Sequence, residues 1–174
     1  MMNLKKMAFA VAMMVTVGTV ATPVAGAQAA SNCAIQTTNN CNFSKGKLNY
    51  KITGKNTCTV TGLTNKSANS TSCNIPSTVT CNGKTYKVTG IANNAFKNCD
   101  NLKSVTCSNS VKTIGSNAFA NCDSLSKVTL GNSVNKVSNN AFGNCNNLKK
   151  ITCKSNIKTT GSNCFGNAAV KYSR

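Results

Sequence analysis

From Val88 onward the apolar residues recur every 23 positions, and the positions between them are mostly Asn, Ser, Thr, Lys and Gly. Aligned on an Ala-Phe pair, Phe96, Phe119, Phe142 and Phe165 make one column without insertion. Val88, Val111, Val134 and Ile157 make a second, and Ile91, Ile114 and Val137 a third. Cys99, Cys122 and Cys145 follow, then Leu102, Leu125 and Leu148. Val105, Val128 and Ile151 make the sixth, and Cys107, Leu130 and Cys153 the seventh. Self-similarity of this kind predicts a β-rich solenoid, in which a coil buries its apolar face only against its neighbours.

Within a coil, "SVTC" alternates in strand fashion, so Val105 and Cys107 point inward and Thr106 outward, as do its equivalents Thr129 and Thr152. "SNAFANC" is too short and too rich in Asn for a full helix and predicts short helical turns started by an Asn or Ser cap. The fourth copy keeps Ile157 and Phe165, but Ala168, Lys171 and Arg174 stand where Cys, Leu and Val belong. The stack is therefore expected to run for about 3.5 coils over residues 88–174 and to stop before a final strand. Such an end is an unpaired edge, open to self-association through the C-terminal coil.

Ahead of the repeats, "KLNYKIT" and "TCTVTGL" alternate around "GKN", and Asn82-Gly83 joins two further strand-like runs. Residues 30–87 are read as an N-terminal β-hairpin cap. "MMNLKK", the apolar run after it and "TPVAGAQAA" have the form of a secretion signal over residues 1–29, cut before Ala30. No second apolar stretch follows, so the mature chain carries no expected membrane span and is read as secreted or cell-surface associated.

Charge changes the picture more than composition does. The formal net charge is +18, with Asp100 and Asp123 the only acidic residues, and loss of Lys5 and Lys6 with the signal leaves +16. Lysines recur at equivalent positions, so stacking places Lys103, Lys127, Lys149 and Lys150 beside Thr106, Thr129 and Thr152 in one candidate binding ribbon. Lys112, Lys136 and Lys158 read as a second stripe. A surface of this kind draws polyanions in a salt-dependent way, or serves as a solvated coat that keeps a repeat protein soluble. Partners in keeping with it are an extracellular protein or glycan, or an anionic wall polymer. Nucleic acid would bind only non-specifically, because no aromatic platform exists for base stacking.

Catalysis is disfavoured by inventory. The chain has no His and no Glu, and its two aspartates occupy equivalent positions in successive coils, where a turn residue belongs. No metal site is expected, since no C-x-x-C occurs, and no cofactor is implied. The 11 cysteines are an odd number, so at least one stays unpaired within the chain. Stacked side chains lie about 4.8 Å apart and a disulfide brings Cβ atoms to about 3.8 Å, so Cys99, Cys122 and Cys145 read as a buried thiol ladder. If disulfides form, they are expected among Cys33, Cys41, Cys58, Cys73 and Cys81, outside the repeat columns, with Cys33–Cys41 favoured by proximity.

The pattern V-x-x-I-x-x-x-A-F-x-x-C-x-x-L-x-x-V-x-C/L, preceded by "IPSTVTCNGKTYKVTGI", resembles the BspA-type leucine-rich repeat family over roughly residues 75–170. The resemblance implies a leucine-rich repeat stack and a secreted or surface protein of the kind found in mucosal bacteria and some parasitic protists. It also implies adhesion to host matrix proteins or cells. Departures are the short chain and the replacement of nearly all acidic residues by Asn and Lys.

Overall fold

A computed structural model describes residues 41–65 and 70–172, which form 13 strands and, among those residues, no helix. The expected signal, residues 1–29, lies outside the described residues, as does Cys33 and with it the Cys33–Cys41 pairing.

The strands build two sheets. Sheet one runs β1 (Asn42–Lys45), β2 (Leu48–Gly54), β3 (Thr57–Leu63), β6 (Lys84–Ile91), β8 (Thr113–Ile114), β10 (Lys136–Val137) and β12 (Thr159–Thr160), with β5 (Thr78–Cys81) also paired to β6. Sheet two runs β4 (Ser72–Ile75), β7 (Ser104–Cys107), β9 (Lys127–Leu130), β11 (Lys150–Cys153) and β13 (Ala169–Tyr172). Sheet two is parallel throughout, as is sheet one from β3 to β12. Each coil gives one strand to each sheet, and the apolar columns fill the space between them as one continuous core. The phenylalanine column is a stack of nearly parallel rings, with centroids 4.9, 5.1 and 6.4 Å apart from Phe96 to Phe165.

The segments expected as short helical turns are not helical. Asn94, Asn117, Asn140 and Asn163 have φ between 49° and 57°, and Asn98, Asn121 and Asn144 between 56° and 61°. Left-handed residues every fourth position interrupt a right-handed helix, and Asn tolerates that region better than other side chains with a Cβ. The kinked backbone turns alternate N–H groups toward the next coil: Asn94, Phe96 and Asn98 donate to the carbonyls of Ser116, Ala118 and Ala120 at 3.0, 2.7 and 3.0 Å. The intervening N–H groups of Ala95, Lys97 and Cys99 close local turns instead.

Both ends of the repeat stack depart from the 23-residue reading. Antiparallel hairpins do occur at β2–β3 and β5–β6, the latter turning at Asn82 and Gly83 with φ of 50° and 74°. They do not form a cap set apart from the coils. Cys58 pairs with Val88, Val60 with Ile91, Cys73 with Val105 and Ile75 with Cys107, so four apolar columns continue toward the N-terminus past residue 88. A hairpin inserted between β4 and the end of β6 breaks the period and hides that coil from a fixed-spacing alignment. Cys58 and Cys73 are thus core members of the columns, buried as thiols, and do not stand outside them.

At the other end the chain does reach a final strand. β13 pairs with β11 in the register Ile151↔Val170 and Thr152↔Lys171. That coil is four residues short; Ala168, its N–H bonded to the Phe165 carbonyl as Leu148 bonds to Cys145, packs half-buried against the end of the core.

Candidate binding surface

The outer face of sheet two is set by strand alternation: Val105 and Cys107, Val128 and Leu130, Ile151 and Cys153 are buried, which turns the residues between them outward. Thr106, Thr129 and Thr152 lie in direct register and form one row, as their spacing predicts. The structure extends that row at both ends, to Asn74 on β4 and Lys171 on β13. Neither was visible from the period, because the two flanking coils differ in length from the rest.

The four lysines separate into two rows. Lys127 and Lys150 are direct neighbours, with Ser104 the next member of their row. Lys103 and Lys149 sit one residue before their strands, two coils apart, with Ser126 between them. Ser126 donates its N–H at 2.9 Å and its hydroxyl at 3.2 Å to the Lys103 carbonyl. All four lysine side chains are exposed. Thr106, Thr129, Thr152, Lys127 and Lys150 thus share the outer face of sheet two, with Lys127 and Lys150 side by side, and Lys103 and Lys149 lie exposed at the strand starts.

The second stripe is not one column. The N–H of Asn135 bonds to the Lys112 carbonyl and that of Lys158 to the Asn135 carbonyl, so Lys112 and Lys158 share a position with Asn135 between them. Lys136 stands one residue on, in register with Thr113 and Thr159.

A different surface carries the two acids. In the turn segments between the sheets, Asn98, Asp100, Asn121, Asp123, Asn144 and Asn146 line a shallow polar trough of about 580 Å³. The Asn121 amide donates to Asn98 at 3.0 Å, Asn144 to Asn121 at 3.1 Å, and Asn146 to a carboxylate oxygen of Asp123 at 2.9 Å. A further amide rung joins Asn163 to Asn140 at 3.0 Å. An amide both donates and accepts, so one residue type repeated in register satisfies itself along the stack. These ladders escape a sequence reading that treats Asn as polar filler, although its 28 occurrences are the signal. Asp123 fits as an acceptor within a ladder, in keeping with a turn-residue role.

The repeat geometry has close counterparts. The family model described as the BspA type leucine rich repeat region matches residues 65–173 in six copies. A leucine-rich repeat protein from Bacteroides capillosus is 33% identical, with a TM-score of 0.69, over 76% of this chain and 99% of that one. Another, from Bacteroides ovatus, is 29% identical with a TM-score of 0.64 over 74% of this chain, which spans only 34% of that protein's length. A leucine rich cell surface protein from Faecalibacterium prausnitzii shares the fold, with a TM-score of 0.53 at 22% identity over 78% of this chain and 48% of that one. No curated protein matches the chain.

Proposed function

The chain belongs to the BspA-type leucine-rich repeat family, and from that premise we propose that it is a secreted or surface-associated binding module, without a catalytic step. Its ligand is an extracellular protein or glycan, or an anionic cell-wall polymer, met by the outer face of sheet two. The observation that carries this reading is the in-register row Thr106–Thr129–Thr152 beside the neighbouring lysines Lys127 and Lys150. Like charges held side by side on adjacent strands cost stability, and a ligand that carries the opposite charge offsets that cost. The cell-surface description of the Faecalibacterium prausnitzii protein supports the location. A glycan and matrix-protein array probed at two salt concentrations tests the reading: salt-sensitive capture by anionic features supports it, and no capture at either concentration sinks it.

A second reading has its own observation. β12 and β13 are the outermost strands of their sheets, and Ile157, Phe165 and Val170 beneath them are only partly buried. That end favours a self-associating solenoid, to be tested by size-exclusion chromatography over a concentration series.

A further inference from the structure

The opposite end of the stack carries a groove that the lysine–threonine ribbon does not use. Among the described residues, β4 is the outermost strand of sheet two, paired with β7 along one edge only. The Thr71 and Ile75 carbonyls accept from Ser104 and Ser108 at 3.1 Å each. Because backbone direction alternates along a strand, Ser72 and Asn74 turn their N–H and C=O groups toward the open edge. Sheet one, in contrast, continues for two strands beyond β3, to β2 and β1. The two sheets are thus of unequal length, and a slot remains beside β4, over the inner face of β2.

That slot is a groove of about 700 Å³. Leu48, Tyr50, Leu63 and Val79 make its apolar floor, and Lys45 and Lys47 stand on its rim. Tyr50 is fixed by stacking on Phe43, with ring centroids 5.2 Å apart. Burial pushes the thiol of Cys73, which lines the same groove, up to about 12.

We infer that this groove takes an extended peptide segment of a partner protein, added as a further strand beside β4. The segment has apolar side chains at alternate positions, to fill the floor, and a carboxylate at the rim, to meet Lys45 and Lys47. Strand addition suits the site because main-chain bonds to Ser72 and Asn74 supply attachment while the floor selects side chains. The charge argues for a foreign partner. The residues ahead of Cys41 carry no acidic side chain, and a second copy would offer only Asp100 or Asp123, which lie in turns and not on a strand that could pair with β4.

The test is fluorescence anisotropy of the secreted protein with a fluorescein-labelled octapeptide of alternating valine and threonine ending in two aspartates. The comparison peptide ends in two lysines. The acidic peptide should bind about tenfold tighter or more, and the double variant Lys45→Glu, Lys47→Glu should reverse the preference. Asn74→Pro removes an N–H from the open edge without touching the pairing to β7, and should weaken the acidic peptide by about tenfold with the thermal midpoint held. Should that variant fail to fold, an acidic octapeptide N-methylated at alternate residues replaces it and should show the same loss on the parent protein. Equal binding of the two peptides overturns the inference, as does binding indifferent to Asn74→Pro and to N-methylation. Failure of the parent to bind the acidic peptide at all does the same, since the groove is then filled by a second copy or by the chain itself.

Discussion

Cys122 donates its thiol hydrogen to the backbone carbonyl of Phe96, 3.0 Å away and one coil earlier, and Cys145 does the same to Phe119. The cysteine column is therefore more than a row of small apolar groups. The carbonyl on each phenylalanine turn faces the core, and a thiol supplies a donor without bringing a strongly polar group with it. Cys122→Ser keeps a donor and should cost less than about 1 kcal/mol, whereas Cys122→Val removes it, overpacks a fully buried site and should cost about 1–3 kcal/mol. Urea denaturation under reducing conditions decides the matter; equal midpoints for the two variants would remove the bond from the account.

The buried thiols set a pH dependence. Burial pushes Cys58 up to about 11 and Cys107 up to about 12, the latter helped by nearby Cys73, from an ordinary value of 9.0. A thiol held neutral in the fold but free to ionise when unfolded favours folding fully below pH 9, and that contribution is lost as pH rises toward 11 to 12. The urea midpoint of the reduced protein should fall across that window, and less steeply in Cys107→Ala. Below it, Cys107 and Cys122, both buried, should alkylate slowly in native protein.

Asn117 tests the left-handed turns. Its φ is 53°, a region that costs most L-residues about 1–2 kcal/mol and glycine nothing. Asn117→Gly should lie close to the parent in thermal melts, and Asn117→Ala about 1 kcal/mol below it. A helical turn at this place would reverse that order, because alanine is the better helix former.

Phe119 lies between Phe96 and Phe142 with centroids 4.9 and 5.1 Å away. Truncation to alanine should cost about 3–5 kcal/mol. Coils contact only their neighbours, so hydrogen exchange should quicken on both sides of the missing ring and fade with distance from it. Uniform quickening over the whole stack would mean that the coils unfold as a single unit.

The columns were legible because burial leaves the same residue type at the same place in every equal-length coil. Phe96 through Phe165 needed only counting. Cys58 and Val60 were missed as column members because the β5–β6 hairpin lengthens their coil, and β13 because its coil is short by four. Asn94 and Asn98 were misread for a different reason. A cap, a turn and a left-handed residue all favour Asn, and composition cannot separate them. The ribbon residues were legible as positions, but Asn135 falls between Lys112 and Lys158, a register that lysine spacing alone did not reveal.

The ribbon itself is tested by charge. Lys103, Lys127, Lys149 and Lys150 are exposed, so replacing all four by Gln leaves the core and the backbone ladder untouched. If a polyanion binds there, the quadruple variant should bind more weakly. The slope of its affinity against salt should also flatten, since fewer counterions are exchanged on binding. The thermal midpoint should hold or rise slightly, because the Lys127–Lys150 repulsion is relieved. Undiminished binding by this variant would show the lysines to be a solubility coat and place recognition elsewhere. Binding that persists at high salt but fails in Thr129→Trp would instead mark a neutral ligand read by the shape of the threonine row.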